Sequence, residues 1–320
     1  FSFLKLSGNY GTNGSDGVEA YSYQDFWGTD PYTNSFQGNR PYYAINLYNP
    51  DYSWALKKSL NFTLDVGLLN DNLLLNINWY RNRMGNQLVG TILPIQTGFN
   101  QVIDNQEATV QNTGLEIAVS STNIQSKNFT WTSSFNFSIN RNKLIAFKDL
   151  ESSAYLYYYT IGKSTSIVRG YKYGGINDTT GLYQFYDAKG NLTYNPAYGL
   201  QRDGGDVTDI GDMQPDFQGG FGNTFTYKGI SLSVFFQFAK QISPSYLAAL
   251  YSNMSPGLPY NMPVQVLDHW RQQGDRTEIQ RVSADWQGQA RTTGQFFMQS
   301  DGAYTDASYI RLKTLSLSYS

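Results

Sequence analysis

The sequence predicts an all-β fold: an antiparallel, up-and-down transmembrane β-barrel segment of about eight strands with long extracellular loops. Three observations predict it. Apolar and polar residues alternate with period two over stretches long enough to cross a bilayer at a tilt. The connections between those stretches alternate between long and short. Charged residues are only 15% of the chain while aromatics reach 16%, a balance suited to half-apolar strands and tyrosine-rich loops.

The strands follow in order. Leu4, Leu6 and Tyr10 oppose Lys5, Ser7 and Asn9. From Ser59, Leu60, Phe62, Leu64, Val66 and Leu68 share one face, with Asn61, Thr63 and Asp65 on the other. Leu69-Asn70-Asp71-Asn72 reads as a tight turn, after which Leu73, Leu75, Ile77 and Trp79 oppose Asn76, Asn78 and Tyr80. Leu115, Ile117 and Val119 form a fourth apolar face. Phe129, Trp131, Phe135, Phe137 and Ile139 form a fifth. Phe221, Phe225 and Tyr227 lead through a Lys228-Gly229 turn into Ile230, Leu232, Val234, Phe236 and Phe238. In the last strand Ile310 and Leu312 have one phase, and Leu315, Leu317 and Tyr319 the other. A bulge is expected near Lys313-Thr314.

Residues 11–58, 84–112, 141–216 and 241–305 read as long connections, and 69–72, 121–128 and 228–229 as short ones. An up-and-down sheet collects all long connections at one end, the mark of an outer-membrane barrel with short periplasmic turns. Soluble sandwiches alternate equally well but rarely sort their loops by length. Within the loops, Tyr155–Thr160 and Tyr183–Asp187 read as short strands, with a turn at Asp187–Gly190. Val264–Arg271 is the one short helix expected from spacing.

Composition excludes several classes. The 320 residues carry a net charge of −2, without the basic field of a nucleic-acid binder. Zero cysteines remove thiol chemistry and disulfides, and one histidine, His269, leaves little for a triad or zinc site. No signal peptide and no apolar helical span are visible. A mean hydropathy of −0.44 is compatible with a barrel, whose strands are apolar on one face only.

Ordered motifs along the chain resemble the SusC-like TonB-dependent transporters of Bacteroidetes-type bacteria. The run Leu4 to Gly14 resembles a strand-and-loop start of that family. So do Asn49-Pro-Asp-Tyr-Ser-Trp-Ala-Leu-Lys-Lys58 and the strand pair ending in Trp79-Tyr80-Arg81-Asn82-Arg83. Leu93-Pro94 with Thr97-Gly98-Phe99, Asn112-Thr113-Gly114-Leu115-Glu116-Ile117 and Gly170-Tyr171-Lys172-Tyr173-Gly174-Gly175-Ile176 continue the match. Pro215 to Phe221, leading into Tyr227-Lys228-Gly229, and Asp306-Ala307-Ser308-Tyr309-Ile310-Arg311-Leu312-Lys313 complete it. The resemblance implies a bacterial outer-membrane protein that imports an oligosaccharide or peptide. Its implied partners are a SusD-like surface lipoprotein, the TonB complex acting through a plug, and the lipid bilayer, with no cofactor and no enzymatic step. Residues 1–320 would then be part of a barrel in the C-terminal half of such a chain, with no plug among them. The alternative from another class is a secreted or surface all-β protein that binds or hydrolyses glycans. A complete small barrel that adheres or scaffolds is a third.

Site candidates follow from the same frame. Flat rings offer contact area at low entropic cost, so Trp27, Tyr42, Tyr43, Tyr157, Tyr158, Tyr159, Trp270 and Trp286 are the expected contacts for substrate or lid. Trp79, Trp131 and Tyr227 are expected in the interfacial girdles. Asp203, Asp206, Asp209 and Asp212 recur every third residue rather than at the alternate positions of a calcium loop, and read as a solvated acidic loop. Gly219-Gly220-Phe221-Gly222 opens a strand rather than a helix, so small residues facing a lumen are expected rather than a phosphate site.

Overall fold

The computed structural model describes residues 1–15, 21, 23–29, 35, 37–49, 51–99, 101–252 and 255–319. Among them, the strands are β1 (Phe3–Ser15), β2 (Phe26–Thr29), β3 (Tyr42–Asn46), β4 (Ala55–Leu68), β5 (Leu73–Ile92), β6 (Gln101–Gln125) and β7 (Phe129–Phe147). There follow β8 (Ile167–Gly170), β9 (Lys172–Ile176), β10 (Tyr183–Tyr186), β11 (Leu192–Thr193), β12 (Thr208–Asp212), β13 (Phe217–Tyr227) and β14 (Ile230–Lys240). The last three are β15 (Ile242–Pro244), β16 (Tyr304–Asp306) and β17 (Tyr309–Tyr319). Two α-helices, α1 (Tyr246–Ser252) and α2 (Gln289–Met298), interrupt the final long connection. The long strands hydrogen-bond in the order β1-β4-β5-β6-β7-β13-β14-β17, which is chain order once the short loop strands are set aside. This is the up-and-down topology of a barrel wall, as the alternation and loop lengths predict.

Contacts divide the chain into two units, Phe1–Ile117 with Asn140–Thr165, and Ala118–Ile139 with Ser166–Ser320. In the first unit, β1, β4 and β5 are in strict antiparallel register. Leu4 lies across from Val66 and Leu6 from Leu64. Leu64 lies across from Ile77, and Phe62 from Trp79. The opposite face is polar and satisfies itself. Asn61 donates to Asn9 at 2.8 Å, Thr63 to Asn78 at 3.2 Å, Asn76 to Asp65 at 2.5 Å and Asn78 to Glu116 at 3.2 Å. Hydrogen-bonded amides belong on a wet wall, whereas much of the apolar face is exposed; Leu6 is 75% exposed. Such a face is stable against lipid and costly against water.

In the second unit the same division recurs. Phe221, Phe236 and Leu312 share one rung, and Phe225, Leu232 and Leu317 another. On the polar face Thr224 meets Ser233 at 3.1 Å and Thr226 meets Ser231 at 2.8 Å. Lys228 and Gly229 both take positive φ, 48° and 85°, the pattern of the two-residue hairpin turn that matches strand twist. The phase break in the last strand is a bulge. Phe235 pairs with Thr314 and Phe236 with Leu312, leaving Lys313 unopposed. The glycines that superficially suggest a phosphate loop make room for rings instead. A Cβ on Gly220 would lie 2.4 Å from Cζ of Phe235, and one on Gly219 2.5 Å from Cζ of Phe238. Trp79, Trp131 and Tyr227 do lie on the apolar faces, Tyr227 directly at the turn.

Three local expectations are corrected. Residues 84–112 are not a long loop: β5 runs to Ile92 and β6 starts at Gln101, so only 93–100 connect them. Alternation stops beyond Arg83, but the backbone ladder does not, and periodicity alone therefore ends these strands too early. Tyr155–Thr160 is not a strand; Ala154–Tyr157 is a 3₁₀ turn, started by Ser153 accepting from the Tyr155 amide at 3.2 Å. Val264–Arg271 shortens to a 3₁₀ turn at Val264–Asp268, while the genuine helices α1 and α2 lie elsewhere. Helix α2 had no visible start signal: it begins after Gly288 with no side-chain cap.

Candidate functional site

Beyond the amphipathic stretch, the first unit builds a recess. After β7 the chain reverses at Asp149, whose φ is 55°, and lays residues 150–165 back against the strands. The Leu144 amide donates to the Lys163 carbonyl at 2.8 Å and the Gly162 amide to the Leu144 carbonyl at 2.7 Å. Asn142 Oδ1 accepts from both the amide and the hydroxyl of Thr165 at 2.8 Å, while its Nδ2 donates to Asn112 at 2.9 Å. The Tyr155 hydroxyl donates to the Gly90 carbonyl at 3.0 Å. Tyr155 stands between Phe147 and Tyr159, with ring centroids 5.6 and 6.1 Å away.

Two adjoining cavities result. One, of about 310 Å³, is walled by Met84, Val89, Ala108, Val110, Leu144 and Tyr159, with the amides of Gln87 and Asn112 at its edge. The other, of about 410 Å³, is polar, with Asp104, Asn105, Glu107, Lys148, Asp149 and Ser153 on its walls. Gln106, Phe147 and Tyr155 line both. Val110, Ala108 and Leu144 have the parity of Glu116 and Asn140, so they continue the polar face of the sheet. That face turns apolar where the 150–165 segment covers it. Lys148 pairs with Glu107 at 2.6 Å, both exposed, which adds little stability but neutralises one carboxylate. Asp104 and Asp149 leave the polar cavity with a negative bias.

In the second unit the long connections form a domain with its own core: Tyr171, Tyr183, Phe185, Leu247, Leu250, Tyr251, Ile279, Phe297 and Ala303. Phe297 stacks on Tyr183 at 4.3 Å and meets Tyr173 edge-on at 5.2 Å. The polar groups of Tyr183, Tyr251, Gln280 and Thr293 in this core are paired. The Tyr251 hydroxyl donates to that of Tyr183 at 3.2 Å, which donates to the Glu278 carbonyl at 2.8 Å. Gln280 Oε1 accepts from the Tyr183 amide at 3.1 Å and Thr293 at 2.7 Å, and its Nε2 donates to the Ala290 carbonyl. Burial pushes the phenols of Tyr173, Tyr183 and Tyr251 above their ordinary value of 10.0. The sign follows directly. The folded state holds these protons more tightly, so the contribution is complete below about pH 10 and lost as pH rises further. Hydrogen-exchange protection around Tyr183 is accordingly expected to persist from neutral pH to about 10 and then fall, once intrinsic exchange is corrected for pH.

The acidic run is also structural. Asp206 is buried and accepts from the amides of Ala188 at 2.7 Å and Ala197 at 2.6 Å. Asp209 pairs with Arg169 at 3.2 Å, and Asp212 accepts from the Gln214 amide at 3.0 Å. Asp203 and Asp209 are exposed as expected, although Asp209 lies in β12 rather than a loop; Asp206 departs from the expectation, because two backbone donors replace its water. His269 Nδ1 lies 2.8 Å from the Val266 carbonyl.

The expected contact residues scatter. Trp27, Tyr42 and Tyr43 share the β2–β3 hairpin and are exposed, with Trp27 Nε1 donating to Asp25 at 2.9 Å. Tyr157 and Tyr158 point outward, whereas Tyr159 lines the apolar cavity. The Trp270 ring packs on Gly181, where a Cβ would lie 2.1 Å from Cε3. Trp286 is exposed, with the Arg291 guanidinium 5.4 Å from its ring. Sequence reasoning missed Met84, Val110, Leu144, Phe147 and Tyr155. The uninterrupted Leu144-Ile145-Ala146-Phe147 run, where alternation fails, was the available signal.

Taken together, long amphipathic strands in up-and-down order, with short turns at one end and folded loops at the other, define a transmembrane β-barrel segment. In sequence the chain is similar to TonB-dependent receptors and to SusC. It is 27% identical over 341 aligned positions, covering 100% of its length, to the TonB-dependent receptor P26 of Formosa agariphila. It is 25% identical over 65% of its length to the TonB-dependent receptor SusC of Bacteroides thetaiotaomicron. In fold it resembles the RagAB peptide importer in its closed-closed state, with a TM-score of 0.78 over 99% of the chain at 24% identity. The chain spans about a third of the length of relatives such as P26 (33%) and of the RagAB chain (34%). No protein-family model matches it.

Proposed function

We propose that the protein serves nutrient import across a bacterial outer membrane as a SusC-like, TonB-dependent transporter. The observation that carries this is similarity to TonB-dependent receptors along the whole chain, joined to a strand order that sends every long connection to one end. Residues 1–320 would supply part of the barrel wall and the extracellular loops above it. The relatives are about three times longer, which leaves room for a plug and further strands in the native chain. The cargo would be an oligosaccharide or a peptide, received under a SusD-like lipoprotein and released inward when the TonB complex pulls the plug. Trp27, Tyr42, Tyr43, Tyr157, Tyr158 and Trp286 offer exposed rings for cargo or lid. Trp270 and Tyr159 are more enclosed. No covalent step is needed, and the relatives' being receptors favours transport over glycan hydrolysis.

The test is uptake by cells with and without the gene, supplied with labelled oligosaccharides or peptides, in backgrounds with and without TonB. Uptake that needs both gene and TonB is expected. Uptake unaffected by deleting the gene would overturn the proposal.

A further inference from the structure

The two adjoining cavities of the first unit do not suit the two cargo classes equally. Sugars are held by flat rings under their C–H faces and by many side-chain hydrogen bonds to hydroxyls. The 310 Å³ cavity has instead an aliphatic lining from Met84, Val89, Ala108, Val110 and Leu144, with rings from Phe147, Tyr155 and Tyr159. Its volume lies at the small end of ligand pockets and matches one large apolar group rather than a chain of sugar rings. Beyond Gln106, Phe147 and Tyr155 lies the polar cavity, where the side-chain carbonyl of Gln106, whose Nε2 donates to Thr91 at 3.0 Å, can meet a peptide N–H. There the carboxylates of Asp104, Glu107 and Asp149 face a single cation, Lys148, which Glu107 already engages at 2.6 Å. An ammonium group is the charge-complementary occupant.

We propose that this paired recess is a peptide subsite: an apolar side chain enters the Val110–Leu144–Tyr155 compartment while the peptide's N-terminal ammonium lies against Asp104 and Asp149. The proposal rests on the import reading and narrows its cargo to peptides. It also gives Tyr159 a role distinct from that of its neighbours Tyr157 and Tyr158, which face away.

The experiment uses the intact native protein in detergent, with calorimetric binding of Leu-Gly-Gly, Phe-Gly-Gly, N-acetyl-Leu-Gly-Gly and maltoheptaose. Expected results are binding of the free-amine peptides and at least about tenfold weaker binding after acetylation or in Asp149→Asn. Leu144→Ala enlarges the compartment and is expected to shift preference toward Phe-Gly-Gly by about tenfold, the scale on which an apolar pocket distinguishes size. That shift separates the subsite from a mere loss of folding. Ala108→Trp fills the compartment and is expected to abolish peptide binding. Maltoheptaose binding in place of the peptides, or peptide affinities unchanged across all three variants, would overturn the subsite. So would protection of the recess by another segment of the native chain. These failures leave TonB-dependent uptake intact, whereas failure of the import reading would remove uptake itself.

Discussion

Phe297→Ala is expected to unfold the loop domain while leaving the strands below it in place. Phe297 is 1% exposed and lies at the centre of the aromatic core, stacked on Tyr183 at 4.3 Å and edge-on to Tyr173 and Tyr251. Removing a buried Phe ring costs about 3–5 kcal/mol from lost transfer energy and the cavity left behind. A domain of short strands and two short helices has little else to resist that. Helix α2 would lose its main anchor, and with it the contacts that hold Gln280 and Thr293 against the β10 backbone. Hydrogen exchange on the purified protein is the measurement. Protection is expected to collapse across 171–186, 246–252 and 289–303 and to remain in β13, β14 and β17. Retained protection at 171–186 would show that the core does not hold the domain.

Leu64→Arg tests the other half of the molecule. Leu64 sits between Leu6 and Ile77 on the apolar face, five residues from the turn at 69–72. If that face meets lipid, an arginine there costs about 2–4 kcal/mol near the midplane, whereas Leu64→Ile costs less than about 1.5 kcal/mol. Folding equilibria in lipid vesicles would measure both. An arginine tolerated as easily as isoleucine would mean the face is not in hydrocarbon. A similar loss in detergent-free buffer, with the protein soluble and monomeric, would point to a second sheet packed over it.

Legibility in the sequence followed solvent. Where one side of the wall meets lipid and the other water, the alternation of Leu60 to Leu68 or Ile230 to Phe238 placed the strands and their faces. Even the phase slip at Lys313 announced its bulge. Beyond Arg83 one face of β5 and β6 is covered by residues 150–165 instead of meeting solvent, so the pattern vanished at Arg83 and the ladder beyond it could not be seen. The loop domain was hidden for a different reason. Its core draws Tyr171, Tyr183, Tyr251, Ile279 and Phe297 from segments up to 126 residues apart, and no local spacing records such a meeting. The recess was half visible: Tyr159 was singled out as one of three adjacent tyrosines, but its companions Val110, Leu144 and Tyr155 were not.

The all-β class, the up-and-down order, the apolar and polar faces and the resemblance to SusC-like receptors could all be read along the chain. Each of these is written in local periodicity or short motifs, set by the two-residue repeat of a strand. Which tyrosines are core and which line a cavity, the burial of Asp206 as an acceptor and the apolar turn of the polar face beneath residues 150–165 emerge on folding. Those outcomes depend on which distant segment covers a side chain, and burial of that kind is a property of the folded chain alone.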